Sequence, residues 1–86
     1  MTRLQMGYFV KEEIVETGSV TRRGPFATEG EARMVLANAV EQAYDFDVRL
    51  ATASVPREVE DAVRDGAKDC LDAQGNVVCR YTIEQD

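Results

Sequence analysis

The sequence predicts a single α+β domain, a two-layer α/β sandwich in which two helices cover one face of a four-stranded mixed sheet. Residues 44–50 and 77–84 alternate between apolar and polar side chains, which is typical of strands with one buried face and one solvated face. Residues 32–43 carry apolar side chains at the spacing of one helix face. A chain of 86 residues has the size of one domain, so we assign residues 1–86 to it.

The N-terminal part of the chain predicts a β-hairpin. Residues 3–16 alternate between apolar and polar side chains, with Phe9 as an exception, and predict the first strand. A turn is expected at residues 17–19, because glycine tolerates positive φ. Residues 19–24 predict the return strand, and we expect Pro25 to end it because proline cannot donate a hydrogen bond to a neighbouring strand.

A capped helix follows the hairpin. Thr28 and Glu31 have the spacing of a capping box, in which each side chain bonds the other residue's backbone amide. The helix is expected to end near Ala43 or Tyr44, where the alternating pattern of the third strand begins. Its apolar stripe consists of Ala32, Val35, Leu36, Ala39, Val40 and Ala43.

The last third of the chain predicts a second helix and a final strand. Ser54 is a suitable N-cap for this helix. The apolar face is expected to run through Gly66 to Cys70, so that the helix reaches about residue 72. Glycine is unfavourable inside a helix, so Gly66 indicates either a close approach to the sheet or a helix that ends early. Residues 72–76 then form a turn into the last strand, residues 77–84, whose apolar side chains point inward.

These elements have the order β-β-α-β-α-β. Right-handed parallel crossovers would place both helices on one face of the sheet. The pattern leaves the strand order open, and an arrangement with antiparallel pairing is an alternative. An edge strand can also pair with a second copy of the chain, so a homodimer through the first or last strand stays open.

The charge balance favours some partners over others. Ten basic and sixteen acidic residues give a net charge of −6. This negative field repels phosphate backbones and anionic membranes, and favours a protein partner with a basic surface. We see no signal peptide and no stretch of about 20 apolar residues that could span a membrane, so we expect a cytoplasmic protein with no membrane partner.

Residue types argue against an enzyme. The chain has no histidine, the side chain that most often serves as a general base near neutral pH. Cys70 and Cys79 fall on predicted inner faces and lack the spacing of a zinc site, so we expect buried, reduced thiols; a disulfide between them stays open for an oxidising compartment. We therefore expect neither catalysis nor a cofactor.

The leading functional hypothesis is a small acidic module that binds protein and acts as an inhibitor or adaptor of a larger macromolecular machine, for example an anti-defence protein of a phage or plasmid. Asp45 and Asp47 share one face of the predicted third strand. They could begin a Mg²⁺ or Ca²⁺ site, but the sequence supplies no further ligands, so no metal is expected. The candidate partner-binding residues are first Asp61, Asp65, Asp69 and Asp72 on the outer face of the second helix, and then Asp45 and Asp47.

The alternative hypothesis is a module that binds nucleic acid. Arg22, Arg23 and Lys11 form the local basic cluster of the chain, and arginine side chains on a hairpin can contact phosphates. The negative net charge disfavours this interpretation. The same arginines could simply keep an edge strand from aggregating.

Overall fold

The computed structural model describes residues 7–86 and confirms the α+β class. Its order is β-β-α-α-β-β, which differs from the predicted order in the second half of the chain. The part of the predicted first strand before Gly7 lies outside the described residues. The elements are β1 (Tyr8–Ile14), β2 (Ser19–Phe26), α1 (Glu29–Phe46), α2 (Val55–Asp65), β3 (Ala67–Leu71) and β4 (Val77–Gln85).

The four strands form one sheet of order β2-β1-β4-β3, and each neighbouring pair is antiparallel. The predicted mixed sheet is therefore corrected to the antiparallel alternative. Two hairpins meet along β1 and β4, the first and last strands, so these strands lie at the centre of the sheet. The edges are β2 and β3, and a homodimer through the free edge of the first or last strand is not available in this arrangement.

The hairpin of β1 and β2 follows the prediction, with one difference. β2 continues through Pro25 to Phe26, because β2 is an edge strand and the missing amide hydrogen of proline leaves no bond unmade on the side of β1. The pairing is irregular between Tyr8 and Val10, where β2 accommodates Gly24 and Pro25.

The capping box of α1 is confirmed. The Thr28 hydroxyl accepts a hydrogen bond from the Glu31 amide at 3.1 Å, and the Glu31 carboxylate accepts one from the Thr28 amide at 3.3 Å. The helix then continues to Phe46, so the predicted third strand at residues 44–50 is wrong. Tyr44 extends the helical stripe from Val40 and is half-buried against the core, which outweighs an alternation over only a few residues.

The second helix begins at the predicted cap, with the Ser54 hydroxyl accepting from the Arg57 amide at 3.3 Å. It ends at Gly66, whose φ of 68° is left-handed, so the early end that Gly66 indicated is correct and the end near residue 72 is wrong. Arg33 of α1 covers this end by donating hydrogen bonds to the carbonyl oxygens of Val63 and Arg64. The segment after Gly66 therefore forms β3, and Cys70 lies on a strand.

Both helices pack on one face of the sheet, as predicted. Leu36, Val40 and Ala62 are fully buried against strand residues that include Val10 and Tyr81. The inward direction of alternate β4 side chains is confirmed, since Cys79 is 2% exposed and Tyr81 is 3% exposed while Arg80 lies outside. Lys68 points to the same face from β3 and forms ion pairs with Glu58 and Asp61 of α2.

Candidate functional site

The predicted acidic stripe does not form one helix face. Asp61 and Asp65 lie on α2, where both carboxylates contact Arg64, at 3.2 Å and 2.9 Å. Asp61 also lies 3.8 Å from the ammonium group of Lys68. The pKa of Asp65 is lowered by the hydrogen bonds from Arg64. The helical half of the stripe is therefore already paired with cations of the chain itself.

Asp69 and Asp72 lie beyond the end of α2, because Gly66 ends that helix. Asp69 is on the outer face of β3, 3.4 Å from Arg80. Asp72 accepts hydrogen bonds from the backbone amides of Asn76 and Gln74, each at 2.9 Å, and these bonds lower its pKa. Asp72 therefore shapes the turn between β3 and β4, where it lines a cleft of about 360 Å³.

Asp45 and Asp47 lie at the C-terminal end of α1 and not on a strand. Asp47 is the C-cap residue, and its carboxylate accepts two hydrogen bonds from the Arg49 guanidinium, at 2.7 and 3.0 Å. These bonds lower the pKa of Asp47. Within residues 7–86, no group of three or more His, Cys, Asp or Glu side chains is arranged to hold a metal ion.

The predicted basic cluster is divided between the two faces of the sheet. Lys11 and Arg22 lie on the outer face, 3.6 Å and 3.1 Å from the carboxylate of Glu84. The Arg22 guanidinium also stacks 4.5 Å from the ring centroid of Phe9. Arg23 pairs with Val10 across the strands and so lies on the opposite face. The hairpin therefore does not present three free cations on one surface.

A groove that the sequence did not reveal lies between the end of α1 and the sheet. It has a volume of about 420 Å³. Its floor comes from the helix-facing sides of β1 and β4, and its wall from the last turns of α1 and the residues just after it. We call it the α1–sheet groove; it is lined by Glu12, Ile14, Gln42, Ala43, Phe46, Asp47, Val48, Cys79 and Tyr81.

Two large apolar side chains border this groove without being covered. Phe46 is 81% exposed and Val48 is 99% exposed. Sequence reasoning assigned both to the buried face of a strand, so it missed them as surface residues. The signal that could have revealed them is the helical spacing of Ala43 and Tyr44 after Val40, which places Phe46 on the last turn of α1.

The groove is electrically negative. The last turn of α1 has no basic residue, and Asp45 and Asp47 lie at this end, where the helix dipole is already negative. In the floor, the Glu12 carboxylate accepts a hydrogen bond from the Tyr81 hydroxyl at 2.5 Å. Burial and the nearby Glu12 raise the pKa of Tyr81, so its hydroxyl remains a donor at neutral pH. Arg49 offsets part of this charge by pairing with Asp47.

Comparison with known proteins does not identify a relative. No protein-family model matches the chain, and neither the curated proteins nor the solved structures contain a match. Within residues 7–86, neither helix combines the length and the apolar character needed to cross a bilayer. The functional proposal therefore depends on the chemistry of the chain itself.

Proposed function

We propose that this protein is a non-enzymatic module that binds another protein, as an inhibitor or adaptor of a larger machine, and that the α1–sheet groove receives a basic segment of the partner. The observation that carries the proposal is the exposure of Phe46 and Val48 beside a negatively charged groove. Exposed apolar side chains that cluster at a concave surface are typical of interaction sites.

The energetics indicate what the partner must supply. Burying a phenylalanine or valine side chain contributes about 1.5–3 kcal/mol, so Phe46 and Val48 together would contribute about 3–6 kcal/mol. Association of two proteins costs about 4–15 kcal/mol. Even at the upper end of the gain and the lower end of the cost, the two anchors leave only about 2 kcal/mol, which is too little for a stable complex. The partner must also fill the groove and pair with its carboxylates.

The carboxylates determine the chemistry of that partner. Asp47 and Glu12 line the groove at the negative end of α1, and Asp45 lies on the last turn of that helix. A lysine or arginine next to an aromatic or aliphatic side chain fits this combination of charge and shape. Charge complementarity of this kind increases the association rate and excludes acidic competitors. Asp47 is paired with Arg49 just as Asp61 and Asp65 are paired with Arg64, so the groove is preferred to α2 because of its exposed Phe46 and Val48 and not because its carboxylates are free.

Selection from a random-peptide display library against the immobilised protein tests this proposal. We expect the enriched peptides to place lysine or arginine beside an aromatic or aliphatic residue. Their binding should be lost in Phe46→Ala/Val48→Ser and should become slower and less salt-dependent in Asp45→Asn/Asp47→Asn. In NMR spectra, bound peptide should shift the resonances of the groove residues.

Two control variants make the result specific. Met34→Ala removes another exposed apolar side chain of α1, 70% exposed, and should leave binding unchanged. Asp61→Asn/Asp65→Asn removes two carboxylates of α2 and should also leave it unchanged. Peptides that bind equally well to Phe46→Ala/Val48→Ser, or that depend on Asp61 and Asp65, would overturn the assignment to the groove.

A further inference from the structure

The two cysteines of the chain face each other across neighbouring strands. Cys70 of β3 is paired in register with Cys79 of β4, and both thiols are free. Residues directly opposite in an antiparallel pair have Cα atoms about 4.5–5.5 Å apart, which lies within the range of about 4.4–6.8 Å that a disulfide requires. The backbone therefore already holds the two residues at a distance suited to a disulfide.

The two thiols differ in their position relative to the α1–sheet groove. Cys79 lines the floor of the α1–sheet groove, whereas Cys70 is 0% exposed behind it. The hydrogen bond with Cys70 lowers the pKa of Cys79, against the opposing effects of burial and of the nearby Glu12 and Asp47 carboxylates, whereas the same interaction together with burial raises the pKa of Cys70. Cys79 is 2% exposed and lines the groove, so a small molecule in the groove meets its sulfur before that of Cys70.

We propose that Cys79 and Cys70 form a two-thiol oxidation site, in which Cys79 reacts with a small peroxide that enters through the α1–sheet groove and Cys70 resolves the product as an intramolecular disulfide. The proposal uses the groove only as a route for the oxidant and does not depend on partner binding. It assigns a chemical role to a buried pair that the proposed function leaves unused.

The reaction balances in two steps. The Cys79 thiolate attacks one peroxide oxygen, the O–O bond breaks, and a sulfenic acid forms while the other oxygen leaves and is protonated to water. The Cys70 sulfur then loses its proton and attacks the Cys79 sulfur, so that the S–O bond breaks, the S–S bond forms and a second water leaves. In total, two thiols are oxidised and one hydrogen peroxide is reduced to two waters.

Mass spectrometry of the reduced wild-type protein treated with hydrogen peroxide tests the disulfide. Trypsin cleavage after Lys68 and Arg80 releases one peptide, residues 69–80, that contains both cysteines. We expect the intact monomer and this peptide each to lose the mass of two hydrogen atoms and to resist alkylation until reduced. Two thiols that remain open to alkylation, sulfinic acid on the monomer, or disulfide-linked dimers would each overturn the proposal.

Trapping with dimedone, which reacts with sulfenic acids, tests the order of the steps. In Cys70→Ala the sulfenic acid has no resolving thiol, so dimedone should label Cys79. In Cys79→Ala, Cys70 should remain unlabelled because the groove does not reach it. Labelling of Cys70 in Cys79→Ala would refute the assigned order. The wild-type peptide masses decide whether the disulfide forms, regardless of whether either variant folds.

Discussion

Lys68 is the cation that holds α2 to the edge of the sheet, and its removal should lower the free energy of unfolding. Its ammonium group meets the carboxylates of Glu58 and Asp61, and the three side chains are 15%, 21% and 32% exposed. The Thr52 hydroxyl donates a further hydrogen bond to Glu58 at 2.6 Å. Lys68 therefore joins β3 to α2, and Glu58 joins α2 to the loop before it. In Lys68→Met the chain keeps most of its apolar volume but leaves the partly buried Glu58 carboxylate without its cation, whereas Asp61 keeps its ion pair with Arg64.

The expected loss of stability lies between that of an exposed ion pair and that of a buried one. Exposed ion pairs contribute about 0.2–1 kcal/mol, whereas breaking a buried pair costs about 3–5 kcal/mol. Since Lys68 and Glu58 are mostly covered, we expect Lys68→Met to lower the free energy of unfolding by about 2 kcal/mol at pH 7. For a domain of this size, that loss lowers the Tm by about 10 °C.

The loss should depend on pH. Burial acts to raise the pKa of Glu58, but hydrogen bonds from Lys68 and Thr52 outweigh it and hold the pKa below its ordinary value of 4.5. A carboxylate with a lowered pKa contributes stability that is complete above its unfolded pKa and is lost as the pH falls through the folded value. The difference between wild type and Lys68→Met should therefore be largest at neutral pH and shrink below about pH 4.5.

Urea unfolding followed by far-UV circular dichroism, at pH 7 and again at pH 3, measures this difference. Lys11→Met is a matched control, because Lys11 lies 3.6 Å from Glu84 on the outer face and both side chains are about one-third exposed, at 34% and 38%. We expect the control to lose less than about 1 kcal/mol. If Lys68→Met loses no more than Lys11→Met, or if its loss is the same at both pH values, the reasoning is wrong.

Three further predictions concern packing and helix ends, and urea unfolding checks each of them. Leu36→Ala, at a side chain that is 0% exposed, should cost about 2–5 kcal/mol, whereas Met34→Ala on the same helix, at 70% exposure, should stay within about 0.5 kcal/mol; equal losses would refute the packing of α1. Thr28→Ala should lower the free energy of unfolding by about 1 kcal/mol because it removes the N-cap. Thr28→Ser keeps a capping hydroxyl and should keep the wild-type stability. Gly66→Ala should cost about 1–2 kcal/mol, because the φ of 68° is left-handed and a Cβ would lie 3.3 Å from the Arg33 guanidinium; an unchanged midpoint would contradict that role of Gly66.

Local patterns predicted several elements correctly. The capping box of Thr28 and Glu31 and the N-cap at Ser54 are present where the sequence placed them. The alternation in residues 77–84 also predicted β4 and its inward side chains. These features depend on hydrogen bonds and side-chain directions within a few residues, so a short stretch of sequence contains the needed information.

Two segments show why two of the predicted elements were wrong. Residues 44–50 alternate like a strand, but their first residues complete the apolar stripe of α1 and remain helical. Residues 67–71 continue the apolar spacing of α2, but the left-handed Gly66 ends the helix and they pair with β4. In both segments the local pattern was compatible with a helix and a strand, and packing against distant elements selected one.

The same errors in the helix boundaries misplaced the residues that the sequence predicted for partner binding and for the interior. Asp61, Asp65, Asp69 and Asp72 were expected on one helix, and the end of α2 at Gly66 separates the last two from the first two. Phe46 and Val48 were expected in the interior, and the longer α1 brings them to the surface beside Asp45 and Asp47. A site made by the end of one helix and the floor of a sheet could not be read from either segment alone.

The sequence by itself determined the α+β class, the helix starts and the inward side of the last strand, because each depends on contacts between residues a few positions apart. The pairing of β1 with β4, the position of both cysteines on facing strands and the α1–sheet groove were decided only by the tertiary structure. The physical reason is that these features join residues far apart in the chain. Burial of whole faces, and not local preference, selects among such pairings.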